Sequence, residues 1–494
     1  MTSNIDQNIH VVLMPWLAFG HIVPFYQLSV SLAKAGVHVS LVSTPKNIQR
    51  LPKLPPDVSV LIDLIALPLP SIDRNLLPED AEATVDIPFD KIQYLKIAYD
   101  LLKNPFKQFI SEQSPSPDWI IADLLTHWVG EVGQEFNIPI ICFFAFSAAT
   151  PVFFGPPEYL AGEGQKRVRP SPESLMTKPP WVDFPSPVAY RKKEAIGVHA
   201  GFYHEDASGL STGQRIATVV QVCKALAIRS CPDLESEYFN LLAKLNGKPA
   251  IPVGFLPPGR STQKLNTFMN DSWNEIFKWL DEQRSRSVVF VGFGSECKLS
   301  KDQVHEIAYG LELSGLPFLW VLQKPSWATN DSNEDVLPLG FRSRIIGKGI
   351  VQIGWAPQRE ILGHSSIGGC LFHAGWGSVI ETLQHGHNLV VLPFIIDQGL
   401  NARFLVEKGL AIEVERNEED GWFTKDDITE SSRKAMGEND EGEALRARAG
   451  EAAALFGDQE LNDGYIEGFA EYLKINGVQN KMPTATRGGD DNNI

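Results

Sequence analysis

The chain has 494 residues, which is too long for a single hydrophobic core, so its length predicts two domains. Its net charge is −16, from 44 lysines and arginines against 60 aspartates and glutamates, which argues against nucleic acid or an anionic membrane surface as a partner. Five cysteines without a CxxC pair predict buried free thiols and argue against a zinc or redox site.

The start of the chain argues against secretion and membrane insertion. The segment MTSNIDQN carries no basic n-region, and the apolar stretch from Ile9 to Phe19 is much shorter than a membrane span. We therefore expect a cytoplasmic protein with no membrane span.

The N-terminal half begins with a strand, a helix and a second strand. Residues 10–15 have the pattern of a strand, residues 25–34 that of a helix closed by Gly36, and residues 38–44 that of the next strand. This βαβ order predicts a parallel sheet. The turn from Ala18 to His21 lacks G-x-G-x-x-G, so it does not indicate a nicotinamide dinucleotide.

Two polar residues stand where strands of this predicted sheet end. His21 follows a glycine just after the first strand, and Asp123 ends the apolar strand at residues 118–125. The carboxyl ends of parallel strands are where an α/β sheet presents its working residues. A histidine chosen at random is usually structural, but this placement makes His21 a candidate for acid–base chemistry.

The middle of the chain suggests binding loops and then a linker. Residues 151–200 are rich in proline, glycine and aromatic side chains and have weak periodicity, which predicts binding loops. The prolines and polar residues of 248–263 predict a linker. We expect an N-terminal domain over 1–250, a linker over 251–272 and a C-terminal domain over 273–464.

The C-terminal half contains a second βαβ pattern with a glycine-bracketed turn. Gly375 and Gly377 lie between a strand ending at His373 and a helix beginning near Ser378. Such a turn presents free backbone N–H groups and the positive end of a helix dipole, which suits a phosphate. A hydroxyl from Ser378 and a charged hydrogen bond from His373 complete a predicted diphosphate site, with Ser295 of an earlier glycine turn as a further contact.

Side chains near this turn extend the predicted site to a nucleotide that carries a sugar. Glu381, one helical turn further along, can accept hydrogen bonds from a ribose diol. Trp355 and Gln358 offer a flat face and an amide to a planar base. Asp397 and Gln398 follow the next strand, and a carboxylate beside an amide can hold several sugar hydroxyls.

Residues 355–398, here called the donor box, resemble the signature segment of plant UDP-dependent glycosyltransferases of family 1. W-x-P-Q, H, G-W, S, E and the terminal D-Q all fall at the expected places without a gap. Two positions depart from the common pattern, because Ala374 replaces a frequent cysteine and Gly377 a frequent asparagine. The resemblance implies these donor-binding residues: Ser295, Trp355, Ala356, Gln358, His373, Trp376, Gly377, Ser378, Glu381, Asp397 and Gln398.

The resemblance also assigns roles to individual residues of both halves. It implies that His21 is the general base with Asp123 as its partner, that transfer inverts the anomeric carbon, and that no metal or cofactor is needed. It implies that the N-terminal domain binds the acceptor and the C-terminal domain the UDP-sugar, with an acceptor wall made of these residues: Phe19, Phe144, Ala145 and Phe146. For the donor it implies uracil on Trp355, ribose on Gln358 and Glu381, diphosphate on His373 and Ser378, and sugar on Trp376, Asp397 and Gln398.

The family's architecture is the GT-B fold, in which two Rossmann-like parallel-sheet domains face each other across a cleft. The resemblance implies that a helix at residues 465–481 returns to the first domain. Beyond it we expect a disordered tail at residues 482–494. The expected partners are a UDP-sugar and a small-molecule glycoside acceptor, and the expected assembly is a monomer.

Several functional alternatives stay open at this point. Residues 15–24, 78–84 and 310–320 resemble a sub-branch that adds a second sugar to flavonoid or terpenoid glycosides. Gln398 favours glucose, whereas Ala145 replaces a threonine that many glucose users have, so UDP-glucose and UDP-rhamnose both remain candidates, as does xylose. The rival interpretations are transfer to a free aglycone and a nucleotide-sugar binding protein without turnover.

Overall fold

The computed structural model describes residues 9–161, 168–258, 271–325, 327–328 and 336–481. Over these ranges the chain forms a seven-stranded sheet and a six-stranded sheet. The first consists of β1 (His10–Met14), β2 (His38–Ser43), β3 (Ile62–Ala66), β4 (Trp119–Ala122), β5 (Ile140–Phe144), β6 (Ala225–Ile228) and β7 (Ala250–Pro252). The second consists of β8 (Val288–Gly292), β9 (Phe318–Leu322), β10 (Gly349–Ile353), β11 (Ile367–Phe372), β12 (Asn388–Val391) and β13 (Ala411–Glu413).

Helices connect the strands. In the first half they are α1 (Phe19–Lys34), α2 (Pro45–Arg50), α3 (Ile92–Leu101), α4 (Lys103–Ser111), α5 (Val129–Phe136), α6 (Ala149–Phe154), α7 (Pro157–Leu160), α8 (Lys192–Tyr203), α9 (Thr212–Val222) and α10 (Pro232–Asn246). In the second they are α11 (Asp271–Asp281), α12 (Lys301–Ser314), α13 (Phe341–Arg344), α14 (Gln358–Leu362), α15 (Trp376–Leu383), α16 (Gln398–Glu407), α17 (Lys425–Met436), α18 (Asp440–Phe456) and α19 (Gln459–Lys481).

Both sheets are parallel throughout, as the sequence predicted. Their central strands are buried along their whole length because sequences such as VVLM in β1 and IICFF in β5 are apolar on both faces. The strand orders are β3-β2-β1-β4-β5-β6-β7 and β10-β9-β8-β11-β12-β13. The order therefore reverses between β1 and β4 and again between β8 and β11, and such reversals open a crevice at the carboxyl ends of the strands.

Helix α1 begins earlier than the sequence predicted. The expected start was Phe25, after Pro24, because proline usually marks the first helical turn. The structure instead starts the helix at Phe19 and keeps Pro24 inside it. His21 therefore lies in the first turn of α1 and not in the loop before it, and the helix fixes the direction of its side chain.

The region predicted as binding loops is partly helical. Residues 151–200 include most of α6, all of α7 and the first part of α8, while residues 162–167 lie outside the described ranges. The intervening residues from 176 to 191 have no helix or strand. The loop character predicted by the prolines thus holds for only part of this region.

The last helix packs against the first sheet. In α19, Ile466, Phe469 and Leu473 are buried in the core cluster that contains β1, and the Trp119 indole N–H donates to the Leu473 carbonyl at 3.0 Å. The predicted linker falls partly on residues 259–270, and the predicted tail on 482–494, both outside the described residues. The predicted domain limits stay predictions.

Three features of the chain bear on its surroundings and chemistry. Four of the five cysteines are buried, Cys297 is partly buried, and all are free thiols. No helix in the described ranges is long and apolar enough to cross a membrane. No group of three or more His, Cys, Asp or Glu side chains within those same ranges is arranged to hold a metal ion.

Candidate active site

His21 and Asp123 form a hydrogen-bonded pair at the strand-order reversal of the first sheet. Met14 of β1 lies beside Ala122 of β4 in the register, which places the residues that follow them side by side. The His21 Nδ1 atom lies 2.8 Å from Asp123 Oδ2. Because the carboxylate can only accept, the proton sits on Nδ1, and Nε2 is left as the basic nitrogen.

The groups around His21 determine its pKa. Burial lowers the pKa of His21, but the charge of Asp123 and its hydrogen bond raise it, with smaller contributions from Asp397 and Glu296, and the net effect is a raised pKa. The Asp123 side chain is 1% exposed and that of His21 is 15% exposed. The carboxylate is therefore hidden behind the ring, and the imidazole alone can meet a substrate.

The expected acceptor residues divide into two groups. Phe146 packs edge-on against His21, with ring centroids 5.4 Å apart, and Phe19 is partly exposed beneath the Arg50 guanidinium. Phe144 and Ala145, by contrast, are buried, each in a different hydrophobic core cluster. The structure thus brings Phe146 to the histidine but places the side chains of Phe144 and Ala145 in the protein interior.

His373 lies between the two glycine turns of the second sheet. The pairing of Phe372 with Gly292 brings together the turns that follow β11 and β8. A Cβ added at Gly375 would come within 2.6 Å of His373 Nε2, and one at Gly294, whose φ is +69°, would come within 3.0 Å of Cε1. Both turns therefore need glycine in order to pack against the ring. Ser295, the predicted contact in the first of them, is exposed.

Burial sets the charge preference of His373. It lowers the pKa of the imidazole to about 4, and among the described residues no hydrogen-bond partner reaches its buried Nδ1 atom. Burial therefore favours the neutral ring, and an anion beside the ring would raise this pKa. The charged hydrogen bond from His373 to a diphosphate stays a prediction.

The residues predicted for the base and the ribose lie together beside α14 and α15. Trp355 is 65% exposed and presents an open ring face, while Ala356 next to it is partly buried. The Gln358 amide N–H donates to Glu381 Oε2 at 2.7 Å, and burial raises the pKa of Glu381. The Glu381 carboxylate can therefore accept hydrogen bonds from hydroxyl groups about one helical turn from the glycine turn.

Asp397 and Gln398 lie at the N-terminus of α16. Asp397 Oδ2 accepts from Asn401 Nδ2 at 2.7 Å, and burial raises its pKa to about 6. The Gln398 Oε1 atom accepts from the backbone N–H groups of Phe394 and Ile395 at 2.9 and 3.0 Å. Gln398 therefore shapes the 394–396 loop with its oxygen and has only its amide N–H groups left for a sugar.

Trp376 connects the two halves of the chain. Its side chain is buried, and the indole N–H donates to the backbone oxygen of Arg229 at 2.7 Å. The backbone N–H of Trp376 belongs to the first turn of α15, and its predicted contact with a donor sugar stays a prediction. Gly377 and Ser378 follow it in that turn and are partly exposed.

Contacts between the two halves close the cleft on two sides. On one side Thr84 Oγ1 donates to Glu296 Oε1 at 2.7 Å, and Lys298 donates to the Ile87 carbonyl at 2.7 Å. On the other side the Tyr190 hydroxyl donates to the Ile396 carbonyl at 2.9 Å. Glu296 and, next to Ile396, Asp397 both act on the charge of His21, so both contacts lie near the histidine.

The sequence analysis missed three polar residues near the site. Arg229 follows strand β6 directly, and the rule that singled out His21 and Asp123 as residues at strand ends could have found it. Glu296 lies one residue after Ser295 in the glycine turn, and Asn401 lies one helical turn after Asp397. The sequence pattern does not indicate the contacts of Glu296 and Asn401, which only the three-dimensional structure shows.

Comparisons with known proteins agree with this arrangement. The model of the protein family described as "UDP-glucoronosyl and UDP-glucosyl transferase" matches residues 263–438. UDP-glycosyltransferase 91A1 of Arabidopsis thaliana is 42% identical, over 95% of this chain and 97% of that protein. Soyasaponin III rhamnosyltransferase of Glycine max is 38% identical, over 95% of this chain and 96% of that protein.

A solved structure shares the whole fold. Glycyrrhiza uralensis UGT73P12, complexed with glycyrrhetinic acid 3-O-monoglucuronide, is similar with a TM-score of 0.76 at 22% identity, over 96% of this chain and 98% of that chain. The two parallel sheets that face each other are therefore a GT-B fold, as predicted. The chain belongs to the plant UDP-glycosyltransferases of family 1 and is a transferase.

Proposed function

We propose that this enzyme transfers a glucosyl or rhamnosyl group from its UDP-sugar to a sugar hydroxyl of a flavonoid or terpenoid glycoside, with inversion. The observation that carries the proposal is the His21–Asp123 pair, 2.8 Å apart at one strand-order reversal and opposite the glycine turns at the other. A base on one side and free backbone N–H groups that can bind an anion on the other suit an attack on the anomeric carbon. The acceptor oxygen would then approach from the face opposite the leaving diphosphate.

The proposed step moves one proton and exchanges one bond. The acceptor oxygen forms a bond to the anomeric carbon while its proton passes to His21 Nε2, and the bond from that carbon to the diphosphate oxygen breaks with its electron pair. Asp123 holds the Nδ1 proton and stabilises the imidazolium that results. The departing UDP gains a negative charge, which the N-terminus of α15 helps to stabilise.

Donor and acceptor are proposed from relatives and local chemistry together. Soyasaponin III rhamnosyltransferase combines a rhamnosyl donor with a saponin, and saponins are themselves glycosides. The buried Ala145 offers no hydroxyl to a donor sugar, which weakens the case for glucose. Ala145→Thr should raise the preference for glucose, and an unchanged donor ratio would argue against this role.

The test offers the purified protein UDP-glucose and UDP-rhamnose in turn, with flavonoid and triterpenoid glycosides and their aglycones, and records UDP release and product mass. Mass added to glycosides alone would support the proposal, and mass added to aglycones would favour the alternative acceptor. His21→Ala should keep UDP binding but lose transfer by about 10²- to 10⁴-fold. UDP binding without any transfer would instead support a binding protein.

A further inference from the structure

Arg229 is a buried arginine that makes no ion pair with any carboxylate of the described residues. It follows β6 in the first half of the chain and is 2% exposed. Its Nε donates to the Phe255 carbonyl at 2.9 Å, and its Nη2 donates to Gln27 Oε1 at 2.7 Å and to the Leu256 carbonyl at 3.5 Å. Among the described residues no hydrogen bond to its Nη1 and no ion pair is found.

No carboxylate among the described residues makes an ion pair with this buried positive charge. Burying a guanidinium is costly unless an anion lies beside it. Two other buried arginines meet this need, since Arg215 pairs with Asp100 at 2.6 Å and Arg416 with Glu194 at 2.5 Å. For Arg229 burial lowers the pKa to about 10, and Glu381 is the one carboxylate whose charge acts on it. The Arg229 guanidinium could therefore bind a further anion.

The free end of the guanidinium points to the glycine turn of the donor site. A Cβ added at Gly377 would lie 3.5 Å from Arg229 Nη1, and apart from the neighbouring residues and the backbone of its own helix no other described atom comes within 4 Å of that position. Gly377 is the second residue of α15, so the unpaired N–H groups of the helix start beside it. A buried cation and a helix N-terminus therefore border the same small space, which the absence of a side chain at 377 leaves open.

The position of Arg229 is fixed by the second half of the chain. Its backbone oxygen accepts the indole N–H of Trp376, the residue before Gly377, at 2.7 Å. The guanidinium is held on its other side by Gln27 of α1, on the helix that also carries His21. The arginine is thus anchored between the helix of the base and the helix of the glycine turn.

We propose that Arg229 donates from Nη1 to the diphosphate of the nucleotide donor and supplies a positive charge at that site. The inference rests on the proposed UDP-sugar donor and adds a residue of the first domain to a site otherwise built from the second. A bound diphosphate then connects both domains. Because UDP leaves with an added negative charge, Arg229 favours the transition state as well as binding.

The test is the affinity of Arg229→Gln for UDP and for uridine, measured by calorimetry. A hydrogen bond between charged groups predicts UDP binding weaker by about 10- to 100-fold. Uridine, which has no phosphate, should bind as in the wild type, and kcat with saturating UDP-sugar should also fall. Unchanged UDP affinity in the folded variant would overturn the inference.

Arg169→Gln is the matched control. Arg169 is also buried and donates to the carbonyls of Phe153 and Ser174, but its guanidinium packs on the Phe153 ring, away from the glycine turn. Its loss should lower the Tm without changing UDP affinity. An equal loss of UDP affinity in both variants would show a general effect of removing a buried arginine and would contradict the inference.

A second pair of variants keeps Arg229 in place. Gly377→Asp puts a carboxylate next to Nη1, and Gly377→Asn puts an amide of the same size there. The aspartate variant should have the higher Tm, because it compensates the buried charge, and should bind UDP more weakly than the asparagine variant. Equal Tm values would overturn the inference, whereas a wild type that binds no UDP would overturn the proposed function instead.

Discussion

At the scale of single residues, the charge state of His21 is set by its partner. Asp123 raises the pKa of His21 against the opposing effect of burial. A base must be neutral to accept a proton, so activity should rise as the pH increases through this raised pKa. The carboxylate also fixes the tautomer that leaves Nε2 free.

Asp123→Asn tests both effects. The amide removes the negative charge, so the pKa of His21 should fall and the acid limb of the kcat/KM profile should move to lower pH. We also expect kcat to fall by about 10²-fold or more, because the ring loses its fixed tautomer. A pH–rate profile with saturating donor measures both. An acid limb that does not move would contradict the pairing as the cause of the raised pKa.

The sequence could show which residues stand at the ends of strands, but it could not show the direction in which a side chain points. His21 and Asp123 were found because both stand at strand ends, and the structure brings them into contact. Trp376 lies at its predicted position in the chain, and its indole N–H donates to the backbone oxygen of Arg229. Such contacts join residues far apart in sequence, and no local pattern encodes them.

At the scale of elements, the start of α8 is the main ionic contact between the two halves. Glu194 pairs with Arg403 of α16 and, at 2.5 Å, with Arg416. Both arginines also reach Glu413 of β13, at 2.5 and 3.0 Å. These carboxylates and arginines are nearly all buried, so the cluster is weakly screened by solvent. The cluster holds the loop region before α8 against the donor domain.

Removing Glu194 should therefore cost stability. Glu194→Gln leaves the buried Arg403 and Arg416 with a single shared carboxylate, and we expect the free energy of unfolding to fall by about 2–4 kcal/mol. Because its arginine partners lower the pKa of Glu194, the wild type should lose this contribution as the pH falls through that pKa. Urea denaturation at pH 7 measures the change.

The control for this prediction is an exposed ion pair nearby. Lys192 of α8 contacts Glu419 at the protein surface, with both side chains largely exposed. Lys192→Ala should leave the urea midpoint unchanged, since exposed pairs contribute little. A Glu194→Gln variant as stable as Lys192→Ala would mean that the cluster does not stabilise the contact between the halves.

At the scale of the whole molecule, the chain crosses back to its first domain at its end. Asn462 of α19 accepts the backbone N–H of Phe255 at Oδ1, at 2.7 Å, and both residues are buried. Asn462→Ala leaves that N–H without a partner, so we expect the free energy of unfolding to fall by about 1–3 kcal/mol. Gln459→Ala, which removes only an exposed contact to Asp463, should leave stability nearly unchanged. Similar losses in both variants would argue against a specific role for the Asn462 contact.

The large-scale architecture was predictable in part. Apolar strands alternating with helices predicted two parallel sheets, because buried strands of this kind need helices on both faces. The way in which the sheets face each other was not predictable from such patterns. It depends on pairs such as Thr84 with Glu296 and Tyr190 with Ile396, whose members are separated by about half the chain.

The Glu194 cluster also limits how this enzyme can be recombined. Chimeras that join the N-terminal half of one family member to the C-terminal half of another would separate Glu194 from Arg403 and Arg416. Such a hybrid would bury unmatched charges at its junction unless the incoming half carried arginines at both positions. A transplant of the N-terminal half into a new C-terminal background should therefore bring Arg403, Glu413 and Arg416 with it.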